Sequence, residues 1–198
     1  MIQNITKWPV VILANYRSGS TELGYQIART YGVDYYPEPI RQIDNTIETI
    51  SKRLDLGDNK FVVKFMPDQL DQNPIHKRLL DIESFKIKIT RDNIVEQSTS
   101  YYIAKMTDNW AQTVDSIPDY YVENNKEVME KVICVLLQNN HSLDNLPIVY
   151  DAIVKYEDLD FSKLTKVVNR KTTPPSNELL IKATVIRMVD KIKREGTW

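Results

Sequence analysis

The chain has 198 residues, of which 42% are hydrophobic and 27% are charged, and its formal net charge is −1. This composition is typical of a globular domain and gives no argument for nucleic acid or a membrane as a partner, so an anion site must come from a few placed basic residues. No apolar run approaches the roughly 20 residues that span a bilayer. Cys134 is the only cysteine, so an intramolecular disulfide is excluded, which fits a reducing, cytoplasmic compartment. Its side chain is predicted to be buried in the core without a chemical role.

Short apolar runs alternate along the chain with segments of helical periodicity. The predicted strands are "WPVVILA" (8–14), "VDYY" (33–36), "KFVVKF" (60–65), "FKIKIT" (85–90) and one within "PIVYDAIVKYEDL" (147–159). The predicted helices follow the first strand's turn, with Leu23, Ile27 and Tyr31 at helical spacing, then cover about 43–54, 68–81, 93–106, the region of Met129 to Leu137, and a last stretch ending near Lys193. This alternation indicates an α/β, P-loop-type fold of three layers, with a central, mainly parallel sheet flanked by helices.

The chemically suggestive residues fall at predicted strand ends. Arg17–Thr21, Glu38, Lys64 and Arg91 all follow or close a predicted strand. Ligands of such folds bind beyond the carboxyl ends of the strands. The sequence therefore predicts one site that draws on several loops at this edge of the sheet.

The first of these loops, "NYRSGSTELG" (15–24), has the outline of a phosphate loop. Aligned with G-x-x-x-x-G-K-[ST], the second glycine and the threonine are present as Gly19 and Thr21, whereas Ala14 replaces the first glycine and Ser20 replaces the lysine. A cation appears instead three places before the lysine position, at Arg17.

The physics of an anion site survives these changes. The chain turns at Gly19 into a helix starting near Ser20, and the free N–H groups and dipole of a first helical turn attract an anion. Arg17 adds a charge with a bidentate fork. Hydroxyls come from Ser18, Ser20 and Thr21. The alternative is a capped turn with Arg17 in solvent.

What the loop lacks decides which anion it suits. A nucleoside triphosphatase needs the loop lysine over its phosphates and usually a magnesium-binding acid at a second strand end, and the sequence offers neither. We therefore expect a smaller anion and no metal. A P-loop nucleotide kinase or NTPase stays an alternative, which magnesium-dependent ATP binding would favour.

A second basic strand end makes the pattern more specific. "RSGST" after the first strand and "R-D-(x)7-S-Y-Y" from Arg91 resemble the two signatures of sulfotransferases that use 3′-phosphoadenosine-5′-phosphosulfate (PAPS), with the closest likeness to the bacterial trehalose-sulfotransferase-like branch. "YEDL" (156–159) is similar to a further element of that family, and the 3′-phosphate segment continues at the family's steps through Gln97, Ser100, Ala104, Thr107 and Trp110. The resemblance implies a single sulfotransferase-like domain over residues 1–198.

The resemblance also implies how the donor is held. The N–H groups from Ser18 to Thr21 and the Arg17 side chain would bind the 5′-phosphosulfate, and Arg91 with Ser100 would bind the 3′-phosphate. Ser98 or Thr99 would share the role of Ser100, because the spacing from Arg91 is one residue longer than in many sulfotransferases. Arg170 and Lys171, in "NRKTTPPSN" (169–177), would add donor contacts. The product is then adenosine 3′,5′-bisphosphate (PAP), formed without a metal.

Glu38 is the predicted general base. It closes the second strand beside the first loop, and the flanking prolines restrict its backbone. The resemblance implies a glutamate base in this element, whereas the alternative is a solvated loop glutamate. The two histidines, His76 and His141, lie at a helix start and a helix end and are predicted to be surface residues.

Lys64 stands inside an apolar strand, where an unpaired charge is costly. It is predicted either to face the active site, assisting the leaving group or acceptor, or to reach water at a sheet edge. Trp8, Tyr16 and Trp110 are candidate stacking partners but fit core or groove wall better.

The acceptor is predicted only as a class. It is a small molecule or glycan with a hydroxyl, and the carbohydrate assignment rests on the resemblance alone. No nucleic acid or membrane partner is expected, and a homodimer is left open. A non-catalytic nucleotide-binding protein of the same fold is the remaining alternative.

Overall fold

The computed structural model describes residues 5–38, 46–108, 121–159 and 175–196. The elements in chain order are β1 (Val10–Ala14), α1 (Ser20–Tyr31), β2 (Asp34–Pro37), α2 (Thr46–Asp55), β3 (Phe61–Phe65), α3 (Pro74–Asp81), β4 (Phe85–Thr90), α4 (Ile94–Thr107), α5 (Lys126–Asn145), β5 (Ala152–Lys155) and α6 (Glu178–Glu195). Short 3-10 turns lie in the described ranges at Pro67–Gln69 and Tyr156–Asp158. In these ranges no helix combines the length and apolarity that crossing a membrane requires.

The five strands form one sheet in the order β2-β3-β1-β4-β5, and all its pairings are parallel. All residues of β1 and β3 are buried, as expected of strands covered on both faces. The prediction of an α/β fold with a parallel sheet between helices is confirmed.

Alternate residues of β1 divide the core into two halves. Val10, Ile12 and Ala14 pack with α1 on one face, whereas Val11 and Leu13 pack with α2, α3 and Leu143 on the other. The chain therefore leaves β1 toward one face, while the helices that follow β2 and β3 cover the opposite face. At this strand end the neighbouring connections diverge, and such a divergence is where α/β folds bind their ligands.

Contacts group the chain into two compact units, residues 1–92 with 139–159 and residues 93–138 with 160–198. The first unit holds the sheet, α1, α2, α3 and the end of α5. In the second, α4 and α6 are linked by an ion pair between Glu96 and Lys182. The prediction of one sulfotransferase-like domain over 1–198 stays a prediction.

One predicted helix is wrong in its extent. Instead of a helix over 68–81, the chain makes a 3-10 turn at Pro67–Gln69 and begins α3 only at Pro74. Asn73 caps α3, since its side chain accepts a hydrogen bond from the N–H of Ile75. A proline is favoured at the first helical position and breaks a helix interior, which explains the late start. Cys134 is half-buried rather than fully buried.

Candidate functional site

The first loop turns sharply because two of its residues have left-handed backbones. The φ angle is 57° at Arg17 and 75° at Gly19. Gly19 caps α1, and its carbonyl accepts the N–H groups of Glu22 and Leu23. The N–H groups that open a helix have no carbonyl four residues earlier within that helix to donate to, and α1 begins shortly after the carboxyl end of β1. This backbone suits an anion, as the sequence predicts.

Side chains fasten this loop to the rest of the first unit. Asn15 accepts from the N–H of Tyr16 at 2.8 Å and donates to the side chain of Asn140 at 2.8 Å. The Tyr16 hydroxyl donates to the carboxylate of Asp68 at 2.8 Å, and the Tyr16 ring is buried. Tyr16 is therefore part of the core rather than a free stacking platform, and Trp8 packs edge-on against Tyr31.

Lys64 faces this loop from β3. Its ammonium donates to Oγ1 of Thr21 at 3.0 Å and to Oε1 of Glu38 at 2.6 Å. Only 2% of the Lys64 side chain is exposed. Of the two orientations that the sequence leaves open, the Lys64 ammonium takes the one toward Thr21 and Glu38 and does not reach water at a sheet edge. Its role in the reaction stays a prediction.

Glu38 lies one residue beyond β2, between strand end and solvent. Its N–H donates to the carbonyl of Lys64 at 2.9 Å, and its φ angle is 50°, in the left-handed region. The side chain is 20% exposed. Backbone and side chain of Glu38 are thus both tied to Lys64, and the carboxylate keeps access to solvent.

Tyr35 supports the start of α1 from β2, a role that its place in the predicted strand does not indicate. Its ring packs so closely on α1 that a Cβ added at Gly24 would lie 2.3 Å from Cζ of Tyr35. Burial raises the pKa of the Tyr35 phenol well above its ordinary value, and Thr21 lies beside this phenol. The signal in the sequence is the glycine inside a helical pattern, which often marks a close approach.

Arg91 contacts the first loop directly. Its guanidinium donates to the carbonyl of Arg17 at 2.9 Å and lies 4.2 Å from the centre of the Tyr156 ring. The sequence predicts Arg91 at an anion site but not its hold on the loop backbone. The sequence pattern singles out "YEDL" as an element but does not single out Tyr156 within it.

The remaining predicted residues are distributed as follows. Ser18 is buried, and its hydroxyl has no hydrogen-bond partner among the described residues. Ser20 is buried in the first turn of α1. Ser100 is half-buried on α4 in the second unit, so its pairing with Arg91 at one phosphate stays a prediction. Three predicted residues lie outside the described part of the chain: Trp110, Arg170 and Lys171.

The prediction that both histidines are surface residues is wrong for His76. Its ring is fully buried, stacks on Phe65 with 4.6 Å between centroids, and donates from Nδ1 to the carbonyl of Gln69 at 2.7 Å. Because α3 starts at Pro74, His76 falls in its first turn against β3. Burial lowers the pKa of His76. His141 is exposed, as expected.

The first-unit site combines three cations with one carboxylate. Arg17 belongs to the loop itself, Lys64 meets the start of α1, and Arg91 donates to the loop backbone. Glu38 pairs with Lys64. This set can hold an anion at the start of α1 and can accept a proton at Glu38. Within the described ranges, no cluster of three or more His, Cys, Asp or Glu residues is arranged to hold a metal ion.

Comparisons with known proteins assign neither a family nor an activity. No protein-family model and no curated protein matches the chain. One solved structure that it matches is an uncharacterized protein from Eubacterium ventriosum, with 12% identity, a TM-score of 0.39, and coverage of 91% of this chain and 97% of that one. A likeness this distant carries no argument about function.

Proposed function

We propose that this protein is a PAPS-dependent sulfotransferase that transfers a sulfuryl group to a hydroxyl acceptor. The observation that carries the proposal is the carboxylate of Glu38, which Lys64 holds beside Thr21 at the start of α1. A candidate proton acceptor therefore lies next to the loop that suits an anion. The motif resemblance at 17–21 and 91–110 adds the identity of the donor.

The proposed chemistry is an in-line displacement in which the protein positions groups and stabilises charge. Glu38 takes the proton of the acceptor hydroxyl as the acceptor oxygen bonds to sulfur. The bond between sulfur and the bridging oxygen breaks, and its electron pair stays on the 5′-phosphate of PAP. Arg17 and the first N–H groups of α1 stabilise that negative charge, and Lys64 orients Glu38.

Arg91 has two roles in this proposal. It shapes the loop through the carbonyl of Arg17, and together with Ser100 it binds the 3′-phosphate of the donor. Arg170 and Lys171 complete the donor contacts. Recognition of the 3′-phosphate would separate PAPS from ATP, whose ribose has a free 3′-hydroxyl.

The acceptor and the location belong to the same proposal. The acceptor is a small molecule or a glycan, and the protein works in the cytoplasm. A reducing compartment suits a chain with a single cysteine.

Donor binding tests the proposal first. Calorimetry would compare PAP, 5′-AMP and Mg-ATP on the wild type and on Arg91→Ala. We expect PAP to bind at least about tenfold more tightly than either other nucleotide, and the variant to lose most of that preference. Equal affinities, or a preference for Mg-ATP, would overturn the proposal in favour of a nucleotide kinase or NTPase.

Glu38→Gln then separates catalysis from binding. The release of PAP from PAPS is measured with sugar, phenol and peptide-tyrosine acceptors. We expect Glu38→Gln to lose at least about a hundredfold in rate while PAP affinity stays close to wild type. Glu83→Gln, an exposed carboxylate before β4, is the matched control and should change neither quantity. PAP binding without transfer by the wild type would indicate a non-catalytic binding protein.

A further inference from the structure

The hydroxyl at the end of a phosphate loop usually serves a metal. In the G-x-x-x-x-G-K-[ST] pattern this Ser or Thr binds Mg²⁺, and an acid from another strand end helps to hold the ion. Thr21 occupies the hydroxyl position in this chain. Glu38 supplies an acid beyond the end of β2.

The Thr21 hydroxyl and the Glu38 carboxylate both accept a hydrogen bond from the same ammonium, that of Lys64. Lys64 Nζ lies 3.0 Å from Oγ1 of Thr21 and 2.6 Å from Oε1 of Glu38. These are N–H···O distances, longer than the roughly 2.1 Å of Mg–O bonds. A lysine ammonium is a compact point charge, and in this position it joins the two groups that a loop-bound metal would join.

The fold keeps this ammonium in place. Lys64 pairs in register with Ile12 of β1 and with Pro37 of β2, so it lies on an interior strand. Its side chain is 2% exposed, and a charge so deeply buried is tolerated only when it is paired. The ammonium therefore cannot swing into water, and its carboxylate partner comes from the adjacent strand end.

We infer that Lys64 takes the place of a divalent metal ion in the phosphate loop, so that phosphate groups bind there without Mg²⁺. The inference deepens the proposed function and rests on it for the phosphate-bearing ligand. It adds that the cation at this site is built into β3. A divalent ion cannot share Thr21 and Glu38 with the ammonium, because the two cations would repel each other at contact distance.

Removing the Lys64 ammonium should turn this site into one that needs Mg²⁺ to bind phosphate groups. In Lys64→Ala, the Thr21 hydroxyl and the Glu38 carboxylate lose their shared donor and leave space between them. Mg²⁺ is commonly held by one or two carboxylates together with phosphate oxygens and water. The variant should therefore bind phosphates weakly by itself and regain affinity when Mg²⁺ is supplied.

Inorganic pyrophosphate is the probe, measured by calorimetry in excess EDTA and in excess Mg²⁺. We expect the wild type to bind it at least as tightly in EDTA as in Mg²⁺. Lys64→Ala should lose roughly tenfold or more in EDTA and recover most of that loss in Mg²⁺. Lys64→Met fills the same space without a charge, so it should lose affinity and not recover. Glu38→Gln in the Lys64→Ala background should abolish the recovery.

Lys88→Ala is the matched control. Lys88 is also a buried strand lysine with a carboxylate partner, Asp144, but it lies on β4 and its ammonium is 5.5 Å from the centre of the Tyr150 ring. Its loss should leave pyrophosphate binding unchanged in both solutions. Tighter wild-type binding in Mg²⁺ than in EDTA would overturn the inference even if Lys64→Ala failed to fold. The inference would also be overturned if Lys64→Ala bound pyrophosphate in EDTA as tightly as the wild type does.

The inference and the proposed function fail separately. If pyrophosphate behaves as expected but PAP is not preferred over ATP, the metal-free site stands and the sulfotransferase does not. If PAP is preferred over ATP but binds only with Mg²⁺, the proposed sulfotransferase function stands, whereas the proposed role of Lys64 is wrong. Binding of neither pyrophosphate nor PAP would overturn both.

Discussion

The guanidinium of Arg91 closes one side of the first loop by donating to the backbone carbonyl of Arg17, 2.9 Å away. The two residues lie 74 positions apart in the chain. Arg17 has a left-handed backbone, which a residue with a side chain adopts only at some cost. The hydrogen bond from Arg91 stabilises this conformation, so the two arginines form one structural unit.

Arg91→Lys should therefore behave almost like Arg91→Ala. Lysine keeps the charge but lacks the planar fork that contacts the carbonyl and the Tyr156 ring together. We expect both variants to lose at least about tenfold in PAP affinity by calorimetry. Arg29→Ala, an exposed arginine at the end of α1, should bind as wild type. Full affinity of Arg91→Lys would show that only charge matters at this position.

Tyr156 should act on PAP binding only through Arg91. The ring centre lies 4.2 Å from the guanidinium carbon, within the range of a cation–π contact worth about 0.5–1 kcal/mol at exposed sites. Tyr156→Phe keeps the ring and should retain PAP affinity, whereas Tyr156→Leu should lower it severalfold. In a double-mutant cycle, Tyr156→Leu should add little to Arg91→Ala. Additive losses would indicate a separate contact of Tyr156.

Gly24→Ala should destabilise the fold. The added Cβ would lie 2.3 Å from the Tyr35 ring, which packs in the core beneath α1. Overpacking of this kind costs about 1–3 kcal/mol, more than the gain in helix propensity. Urea unfolding would measure the loss. In the Tyr35→Leu background the same change should cost little, and an undiminished cost there would contradict the assigned clash.

The buried histidine should make stability depend on pH. Burial lowers the pKa of His76 in the folded state, so below about pH 6.5 the unfolded chain binds more protons than the folded chain. The free energy of unfolding should therefore fall as the pH falls from 6.5 toward the folded pKa. Urea unfolding at several pH values would show this slope.

His76→Gln should flatten that slope below pH 6.5, because glutamine does not titrate. His141→Gln is the matched control, since His141 is exposed, and the slope should remain. If His76→Gln left the slope of the unfolding free energy against pH unchanged, other titrating groups would be its cause.

The sequence predicts the sheet, and the edge of the sheet at which the candidate site lies, because both depend on patterns within short stretches of the chain. A continuous apolar run marks β1, and the glycine turn after it marks the start of α1 at Ser20. The strand-end positions of Glu38, Lys64 and Arg91 follow from the same pattern. Parallel strands bring such ends to one edge whatever the order of the strands.

The contacts within the site were less predictable because they depend on register and strand order. Lys64 meets Thr21 only because β3 lies beside β1, and it meets Glu38 only because β2 lies beside β3. The sequence alone leaves this order open. By contrast, the break before α3 had a local signal, the pair Asn73 and Pro74, which is typical of a capped helix start.

Lys64 also constrains how the sheet can assemble. Side chains alternate along a strand, so a slip of β3 by one residue would move Lys64 to the opposite face. That face packs Phe61, Val63 and Phe65 against α2 and α3. An ammonium there would lose its carboxylate partner, at a cost of several kcal/mol. The charge that serves the loop therefore also favours the correct register of β3. A shifted register would bury an unpaired ammonium, which raises the free energy of the misfolded sheet more than an apolar residue at this position would.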